Sequence, residues 1–431
     1  MEIRQDKQSI VIGLLFGDEG KGTITDYLCS ERETDYVIRF SGGPQTAHNV
    51  VTDDGRHHTF SLFGAGTFQG AKTILSQFVL VNPFNMANEA DALWEKIGHD
   101  PFEDAFISRN ALLLTPLHVA ANQWREIQRG ASAHGSCGVG VGEARAYEQD
   151  YKNKHVAYPP MVVGDMIDCW DSASESMLLE KLGAYKEYLE RNLVGFTYAE
   201  PLTDILSGYK ALMADRPFKI VSDQWIYAQI KDTSNWNVFE GSQGVLLDED
   251  FGFHPHTTWS ATTDRNARKL IRFAGADENN YKTIGVTRTY ATRHGYGPFP
   301  SEFEDDSVHY VYPEKHNAWG KFQGNWRTGS LDFPLLEYAV KVNKGVDELA
   351  LTHCDLSFDR PINLWDTDIE PVEKKDLDYQ EQLTHALMNI DLGSLTEIHD
   401  LKSLVNALEQ RLGAPVKIES YGPTAADKKS K

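Results

Sequence analysis

Short apolar runs alternate with helical patterns at the start of this 431-residue chain. Residues 9–15 are rich in β-branched side chains, a Gly-rich polar stretch follows, and residues 23–30 have the spacing of a helix. Residues 35–40 form a second apolar run that ends at a Gly-Gly pair. Because short β-branched runs bounded by glycine are typical of buried strands, the opening predicts a strand, a loop, a helix and another strand.

The rest of the chain continues this alternation with longer helical segments. Five segments have the pattern of helices: 89–98, 116–129, 174–192, 225–231 and 402–412. Further buried strands are predicted at three places: 72–81, as a pair of segments, 349–355 and 415–420. The pattern predicts one α/β core with insertions, with no internal repeat, and a disordered tail over 425–431.

Composition and charge narrow the classes of function. Apolar residues make up 41% of the chain and charged residues 24%, which is near the average of folded soluble proteins. The 63 acidic and 42 basic residues give a formal net charge of −21, which disfavours attraction to a nucleic-acid backbone. No apolar run reaches the roughly 18 residues that cross a bilayer. We therefore expect neither nucleic acid nor a membrane as a partner.

The cysteines and the N-terminus indicate a cytoplasmic protein. The four cysteines lie far apart without a Cys-x-x-Cys pair, which disfavours a disulfide framework or a zinc site: Cys29, Cys137, Cys169 and Cys354. The first apolar run spans only six or seven residues and no small-residue cleavage site follows it. We read that run as a buried strand and expect a cytoplasmic location.

The loop from Gly17 to Thr23, GDEGKGT, is the first candidate for chemistry. Glycines between a strand and a helix let backbone N–H groups approach phosphate oxygens, and Lys21 adds a positive charge. The P-loop pattern fails, because Leu15 replaces its first glycine and Gly22 follows the lysine. The carboxylate of Asp18 would repel phosphate, so its presence in this loop favours a functional role, either as a metal ligand or in proton transfer. The alternative is an ordinary acidic residue at a helix start.

Other polar loops also follow predicted strands. Residues 41–49, SGGPQTAHN, contain His48, which can exchange a proton near neutral pH but is by itself more often structural. Four further segments are Gly- or Pro-punctuated: 134–148, 239–263, 292–302 and 322–332. Loops at strand ends are where α/β proteins build pockets, and surface turns are the alternative.

Taken together, these segments form eight motifs in a fixed order: GDEGKG, GGxxxAH, GxGxG before AYE, FEGxQGxLLDxDxGxxP, TRxGxGPFPxE, RTGxLD, TxxD and SxGP. The ordered set, from about residue 10 to residue 424, resembles the adenylosuccinate synthetase family. The resemblance implies a GTP-dependent ligase that joins L-aspartate to IMP. It also implies a single large α/β domain over residues 1–424 around a mostly parallel central sheet, working as a homodimer with Mg²⁺.

The resemblance assigns roles residue by residue. Asp18 would take the N1 proton of the purine and bind Mg²⁺ together with the Ala47 carbonyl, and His48 would assist phosphoryl transfer to O6. The catalytic set implied is Asp18, Lys21, His48 and Gln243. The residues implied for GTP are Gly17, Glu19, Gly20, Lys21, Gly22, Thr23, Asp355, Ser420 and Gly422. Those implied for the purine nucleotide and the amine are Gln45, Ser136, Cys137, Gln243, Thr258, His294, Arg327 and Thr328.

Several positions depart from the family's pattern. Val139 and Asn325 stand where arginines hold the aspartate, and apolar or amide groups cannot replace their bidentate hydrogen bonds. His294 replaces a valine, and His353 replaces a lysine on the guanine side. Two alternatives therefore stay open: a paralogue that joins a different amine or a related purine nucleotide by the same chemistry, and a GTP-binding regulator without catalysis.

Overall fold

The computed structural model describes residues 7–130, 136–168, 172–303, 324–356, 362–367, 371–390 and 393–431. Cys169 and parts of two Gly-rich segments, 134–135 and 322–323, lie outside these ranges. The strands described, in chain order, are β1 (Gln8–Gly13), β2 (Tyr36–Arg39), β3 (His48–Val51), β4 (His57–Phe60), β5 (Lys72–Leu75), β6 (Leu80–Val81), β7 (Ala105–Ser108), β8 (Leu112–Leu113), β9 (Lys219–Val221), β10 (Asn237–Gly244), β11 (Tyr281–Arg288), β12 (Ala291–His294), β13 (Trp326–Gly329), β14 (Leu331–Asp332), β15 (Glu348–Thr352), β16 (Ile362–Asp366), β17 (Ser394–Ile398), β18 (Val416–Ser420) and β19 (Lys428–Ser430).

The helices within the same ranges are α1 (Lys21–Glu31), α2 (Pro83–Ile97), α3 (Pro116–Arg129), α4 (Val141–Lys152), α5 (Gly164–Asp168), α6 (Ser172–Asn192), α7 (Leu202–Asp215), α8 (Asp223–Lys231), α9 (Arg265–Ala274), α10 (Phe333–Val342), α11 (Leu377–Met388) and α12 (Leu401–Leu412). No helix of the described residues is long and apolar enough to span a bilayer.

Ten of the described strands form one central sheet in the order β19-β18-β15-β11-β1-β10-β2-β5-β7-β9. Every neighbouring pair is parallel except β18 and β19. In β1, Ile10 and Ile12 pack into one hydrophobic cluster and Val11 into another. A strand covered on both faces has no solvent side, which is why this run is apolar throughout. The predicted α/β domain with a mostly parallel sheet is confirmed.

Helical insertions widen one side of the sheet. Leu178, Leu182, Tyr185 and Leu189 follow a helical stripe along α6 and are almost fully buried against the same cluster as α2, α3 and α7. The predicted helix over 89–98 begins earlier, at Pro83, because the Asn82 side chain caps it by accepting hydrogen bonds from two backbone N–H groups.

The predicted disordered tail is wrong. Residues 425–427 form a turn, and β19 pairs antiparallel with β18 at the edge of the sheet. Its polar sequence carries no hydrophobic pattern, but its polar groups are satisfied locally. Asp427 accepts from the Thr424 backbone N–H at 2.8 Å, and Lys428 is buried with carbonyl partners.

Candidate active site

Loops that follow the parallel strands open into one cavity of about 760 Å³. They follow β1, β2, β10, β11, β15 and β18, so the cavity lies at the carboxyl edge of the sheet, where α/β proteins bind ligands. Most of the predicted site residues line it: Gly17, Asp18, Gly20, Lys21, Gly22, Thr23, Gln45, Ala47, His48, Ser136, Cys137, Gln243, Thr258, His294, Asp355, Ser420 and Gly422. Of the predicted residues, the structure places Glu19, Arg327 and Thr328 outside this lining.

Glu19 braces the first loop from inside. Its carboxylate accepts hydrogen bonds from the backbone N–H groups of Leu15 at 3.0 Å and Gly17 at 2.9 Å, and it pairs with Lys21 Nζ at 2.6 Å. Both charged side chains are almost completely buried. Its carboxylate therefore shapes the loop and positions Lys21, so that a contact between Glu19 and a nucleotide falls to its backbone.

The GDEGKG loop packs against the segment 41–49 where Gly22 meets His48. A Cβ atom on Gly22 would come within 2.6 Å of the Cβ of His48, so the contact leaves no room for a side chain. Gly20, the N-cap residue of α1, has φ +96°, a conformation that glycine adopts without strain. The glycines of GDEGKG thus allow this loop to pack closely against His48.

Asp18 lies in this loop with φ +59°, a left-handed conformation that is uncommon for residues other than glycine. Its Oδ2 lies 2.9 Å from Nε2 of His294. Burial raises the pKa of Asp18, but the hydrogen bond and charge of His294, with Arg288 and Lys21, lower it to a value below the ordinary one. Asp18 is therefore ionised at neutral pH.

His48 is held by a buried glutamate from β10. Its Nδ1 lies 2.6 Å from Oε1 of Glu240, whose Oε2 accepts from the Ala65 backbone N–H at 3.1 Å and lies 3.8 Å from Arg39 Nε. Burial raises the pKa of Glu240, but Arg39 and His48 bring it below its usual value. An ionised carboxylate only accepts hydrogen bonds, so Nδ1 of His48 carries the proton. Burial lowers the pKa of His48 below its ordinary value.

Two glutamines of the cavity wall present buried polar atoms to which no other described residue is hydrogen-bonded. Within the described residues, both side-chain polar atoms of Gln45 and the Oε1 of Gln243 have no hydrogen-bond partner, and both residues line the cavity. Gln243 also has φ +52°. Buried polar groups in proteins are nearly always paired, so these atoms indicate groups that a polar ligand satisfies.

Helices α3 and α4 contribute charged residues to the cavity wall that the sequence analysis did not predict. Arg125 pairs with Glu143 through two hydrogen bonds of 2.7 and 3.0 Å, and Arg129 pairs with Glu126 at 2.5 Å. All four line the cavity. The available signal was the spacing of the two arginines, which lie four residues apart and hence on one face of the predicted helix.

Asn122 joins this wall to the Gly-rich segment that contains Ser136 and Cys137. Its side chain donates to Ser136 Oγ at 3.0 Å and accepts from the Gly140 backbone N–H at 3.0 Å. Gln123 of the same helix donates to the Gly138 carbonyl at 3.3 Å. The Gly-rich segment is thus tied to α3 where it enters the cavity.

Arg327 and Thr328 lie on β13, which pairs antiparallel with β12 beside the cavity. The guanidinium of Arg327 pairs with Glu302 and donates to the carbonyls of Gly295 and Gly297, each at 3.0 Å. These contacts brace the GPFP loop. The structure therefore places Arg327 in an internal ion pair rather than in the cavity wall.

The last wall is formed by the ends of β15 and β18. His353 has φ +61°, and burial, with the charges of Arg288 and Lys428, holds its pKa well below the ordinary value, so its imidazole is neutral at pH 7. Ser420 donates to the Gly422 carbonyl at 3.1 Å, and its own carbonyl accepts from the Cys354 backbone N–H at 2.8 Å. This wall holds the residues predicted for the nucleotide base.

The fold and the cavity define the class of protein. A glycine loop with a lysine, which suits phosphate, faces an ionised carboxylate and a fixed histidine at the carboxyl edge of a parallel sheet. This arrangement is that of an α/β enzyme acting on a phosphorylated ligand.

Comparisons with known proteins agree with this class and narrow it. A family model described as adenylosuccinate synthetase matches residues 10–362. The adenylosuccinate synthetase of Buchnera aphidicola subsp. Schizaphis graminum is 32% identical over 447 residues, covering 97% of each chain. That of Thermoplasma acidophilum is 31% identical over 439 residues, covering 97% of this chain and 96% of its own.

Solved structures share the fold. Fully ligated adenylosuccinate synthetase from Plasmodium falciparum matches with a TM-score of 0.79 at 20% identity, covering 99% of this chain and all of its own. The succinoaminodeoxyadenylate synthetase of cyanophage S-2L, bound to dGMP and dATP, matches with a TM-score of 0.61 at 15% identity, covering 99% of this chain and 96% of its own.

The chain belongs to the adenylosuccinate synthetase family. The known function of this family is the GTP-dependent ligation of IMP and aspartate in purine biosynthesis. The family, the fold class and the ligase function predicted from the motifs are thereby confirmed. The roles of individual site residues stay predictions.

Proposed function

We propose that this chain carries out the family's reaction with Asp18 as the base and His48 as the acid. The observation that carries this assignment is the convergence of both side chains, each fixed by a buried or half-buried partner, on one cavity beside the glycine loop. A protein that only bound nucleotide would need neither group.

The chemistry requires two steps at the purine 6-position. The carbonyl oxygen is a poor leaving group, so Asp18 takes the N1 proton while O6 attacks the γ-phosphorus of GTP and GDP leaves. Glu240 holds Nδ1–H of His48. The imidazole acts as the acid when Nε2 also carries a proton, and Nε2–H then donates a hydrogen bond to the transferred group. The amine of aspartate then attacks C6 and displaces phosphate, and the product is adenylosuccinate.

Mg²⁺ fits the donors that the cavity offers. Asp18 and Ala47 both line the cavity, and a carboxylate and a backbone carbonyl are the hard oxygen ligands that Mg²⁺ prefers. Among the described residues, no three His, Cys, Asp or Glu side chains are grouped to hold a metal by themselves, so nucleotide phosphates and water would complete the coordination. When bound, the ion would neutralise charge on the transferred phosphoryl group.

The substrate contacts complete the proposal. We assign the phosphates of GTP to the loop around Lys21 and its base to Asp355, Ser420 and Gly422. The purine nucleotide is assigned to Gln45, Ser136, Cys137, Gln243 and Thr258. The orphaned polar atoms of Gln45 and Gln243 support the nucleotide side.

Arg327 and Thr328 are assigned to the amine, and His294 is assigned to substrate without a choice between the nucleotide and the amine. Arg327 binds a substrate carboxylate only if it exchanges Glu302 for it, because the two side chains form an ion pair in this structure. From the family resemblance we also propose a homodimer and a cytoplasmic location.

The experiment is phosphate release from GTP and Mg²⁺ with IMP, with aspartate compared against a panel of other amines. We expect release to require aspartate, and mass spectrometry to show the succinylated nucleotide as product. Release with another amine only, or a different adduct, would replace aspartate in this proposal.

A further inference from the structure

The C-terminal strand carries a buried lysine to the edge of the cavity. Lys428 begins β19, is 7% exposed, and donates hydrogen bonds to the carbonyls of Gly422 and Thr424, each at 2.8 Å. A buried ammonium group is costly unless it is paired and hydrogen-bonded. The two carbonyls belong to the loop over 420–424, of which Ser420, Gly422 and Pro423 line the cavity.

This loop depends on side chains for its shape. The Pro423 carbonyl accepts from Thr23 Oγ1 of α1 at 2.9 Å, and Asp427 caps the backbone N–H of Thr424. The carbonyls on either side of Pro423 are the two that Lys428 holds. Because an irregular loop has no ladder to pair its carbonyls, these contacts fix its conformation.

Four carboxylates on neighbouring elements interact electrostatically with the ammonium group of Lys428. They are Asp26 of α1, Asp53 of the turn between β3 and β4, Asp355 after β15, and Asp427 beside it. Burial lowers the pKa of Lys428 to about 8 even with these charges present. Burial also raises the pKa of Asp26 to about 6, and Gln69 donates to its carboxylate at 3.0 Å.

We propose that Lys428 is a positioning residue for the nucleoside triphosphate. Its ammonium group clamps the loop over 420–424 so that Ser420 and Gly422 present the shape that the nucleotide base requires. The inference rests on the proposed GTP site. It adds a residue, outside the motifs described above, on which affinity for GTP but not for IMP depends.

The central test compares K428M with K429M. Methionine keeps the length and apolar stem of lysine but has no donor, and Lys429 is an exposed lysine on the same strand. The ammonium group of Lys429 lies 4.2 Å from the centre of the Tyr421 ring, a contact that the thioether of methionine can replace. We expect K428M to raise the KM for GTP by about tenfold or more, since two charge-assisted hydrogen bonds to the loop are lost, while the KM for IMP stays within about twofold. K429M, which removes the same charge, should leave both values near those of the unchanged protein.

A second measurement does not require K428M to fold. In the unchanged protein the two hydrogen bonds of the clamp are charge-assisted only while Lys428 is protonated. The KM for GTP should therefore rise as the pH passes about 8, while the KM for IMP does not follow. K428R keeps its charge at that pH and should remove this dependence. Equal effects of K428M and K429M, or of K428M on GTP and IMP alike, would overturn the inference and leave the proposed function standing. Absence of GTP-dependent turnover in the unchanged protein would remove both.

Discussion

Nε2 of His294 lies 2.9 Å from Oδ2 of Asp18, so a histidine contacts the carboxylate that the mechanism uses as its base. The contact joins the end of β12 to the loop after β1. It helps to hold the pKa of Asp18 below the ordinary value against the effect of burial. His294 therefore contributes both to the position of the Asp18 carboxylate and to its low pKa.

Substitution of His294 by valine should change the pH dependence of the reaction. Without the hydrogen bond and charge of His294, the pKa of Asp18 rises, and the base becomes protonated at higher pH. We expect the acidic limb of the kcat/KM profile for IMP to move to higher pH in H294V. H294Q, which retains an N–H donor, serves as the control and should lie between the two, and an unmoved limb in H294V would contradict the account.

Gln45 offers a test in which stability and binding change in opposite directions. Its buried polar atoms have no partner in the described structure, so Q45L removes an unsatisfied group and should leave the melting temperature unchanged or raise it. The same substitution should raise the KM for IMP by about tenfold, because the ligand loses hydrogen bonds. Q149L, at an exposed position of α4, is the control. A lower melting temperature with unchanged KM would assign Gln45 to the fold alone.

The ion pair between Arg327 and Glu302 predicts opposite effects of two substitutions on aspartate. E302Q weakens the internal partner of Arg327 and should lower the KM for aspartate, provided that the loop stays folded. R327A should raise that KM by about tenfold or more, since a charge-assisted hydrogen bond is worth about 1.5–3 kcal/mol. Steady-state kinetics at saturating GTP and IMP measure both. If the KM for aspartate were unchanged in both variants, Arg327 would only stabilise the GPFP loop and would not bind substrate.

Glu240 should make the free energy of unfolding fall at acidic pH. Its pKa is lower in the folded protein than its ordinary value of 4.5, so its ionised form stabilises the fold. That contribution is present above about pH 4.5 and is lost as the pH falls through the lower folded pKa. E240Q should lower the free energy of unfolding at neutral pH by about 3–5 kcal/mol, because Arg39 and His48 lose a buried partner.

Denaturant unfolding over a range of pH measures this effect. E95Q, at an exposed position of α2, controls for the loss of one negative charge. If E240Q and E95Q unfolded at the same denaturant concentration at neutral pH, the buried contact with His48 would not contribute to stability.

The sequence predicted those elements that are specified by residues close together in the chain. The predicted helix over 116–129 matches α3, because Thr115 and His118 form a capping box, Pro116 occupies the first turn and Gly130 follows the last. The GDEGKG loop was found for the same reason. Its glycines and its lysine are adjacent in the chain.

Contacts between distant segments could not be predicted in this way. His48 and Glu240 are 192 residues apart, and no local pattern pairs them. Arg327 was assigned to substrate by its motif, whereas the fold provides Glu302 as a nearer partner. The tail was predicted to be disordered because its strand is polar, and only the edge of the sheet supplies its partners.

The kcat values of D18N and H48N decide whether Asp18 and His48 carry the ligase reaction. Asparagine tolerates the left-handed conformation of Asp18 and should preserve the loop. Each substitution should lower kcat for GTP-, IMP- and aspartate-dependent phosphate release by about 10²–10⁴-fold with little change in melting temperature. H399N, at an exposed histidine, should behave like the unchanged protein. Turnover that survives in both D18N and H48N would contradict the mechanism.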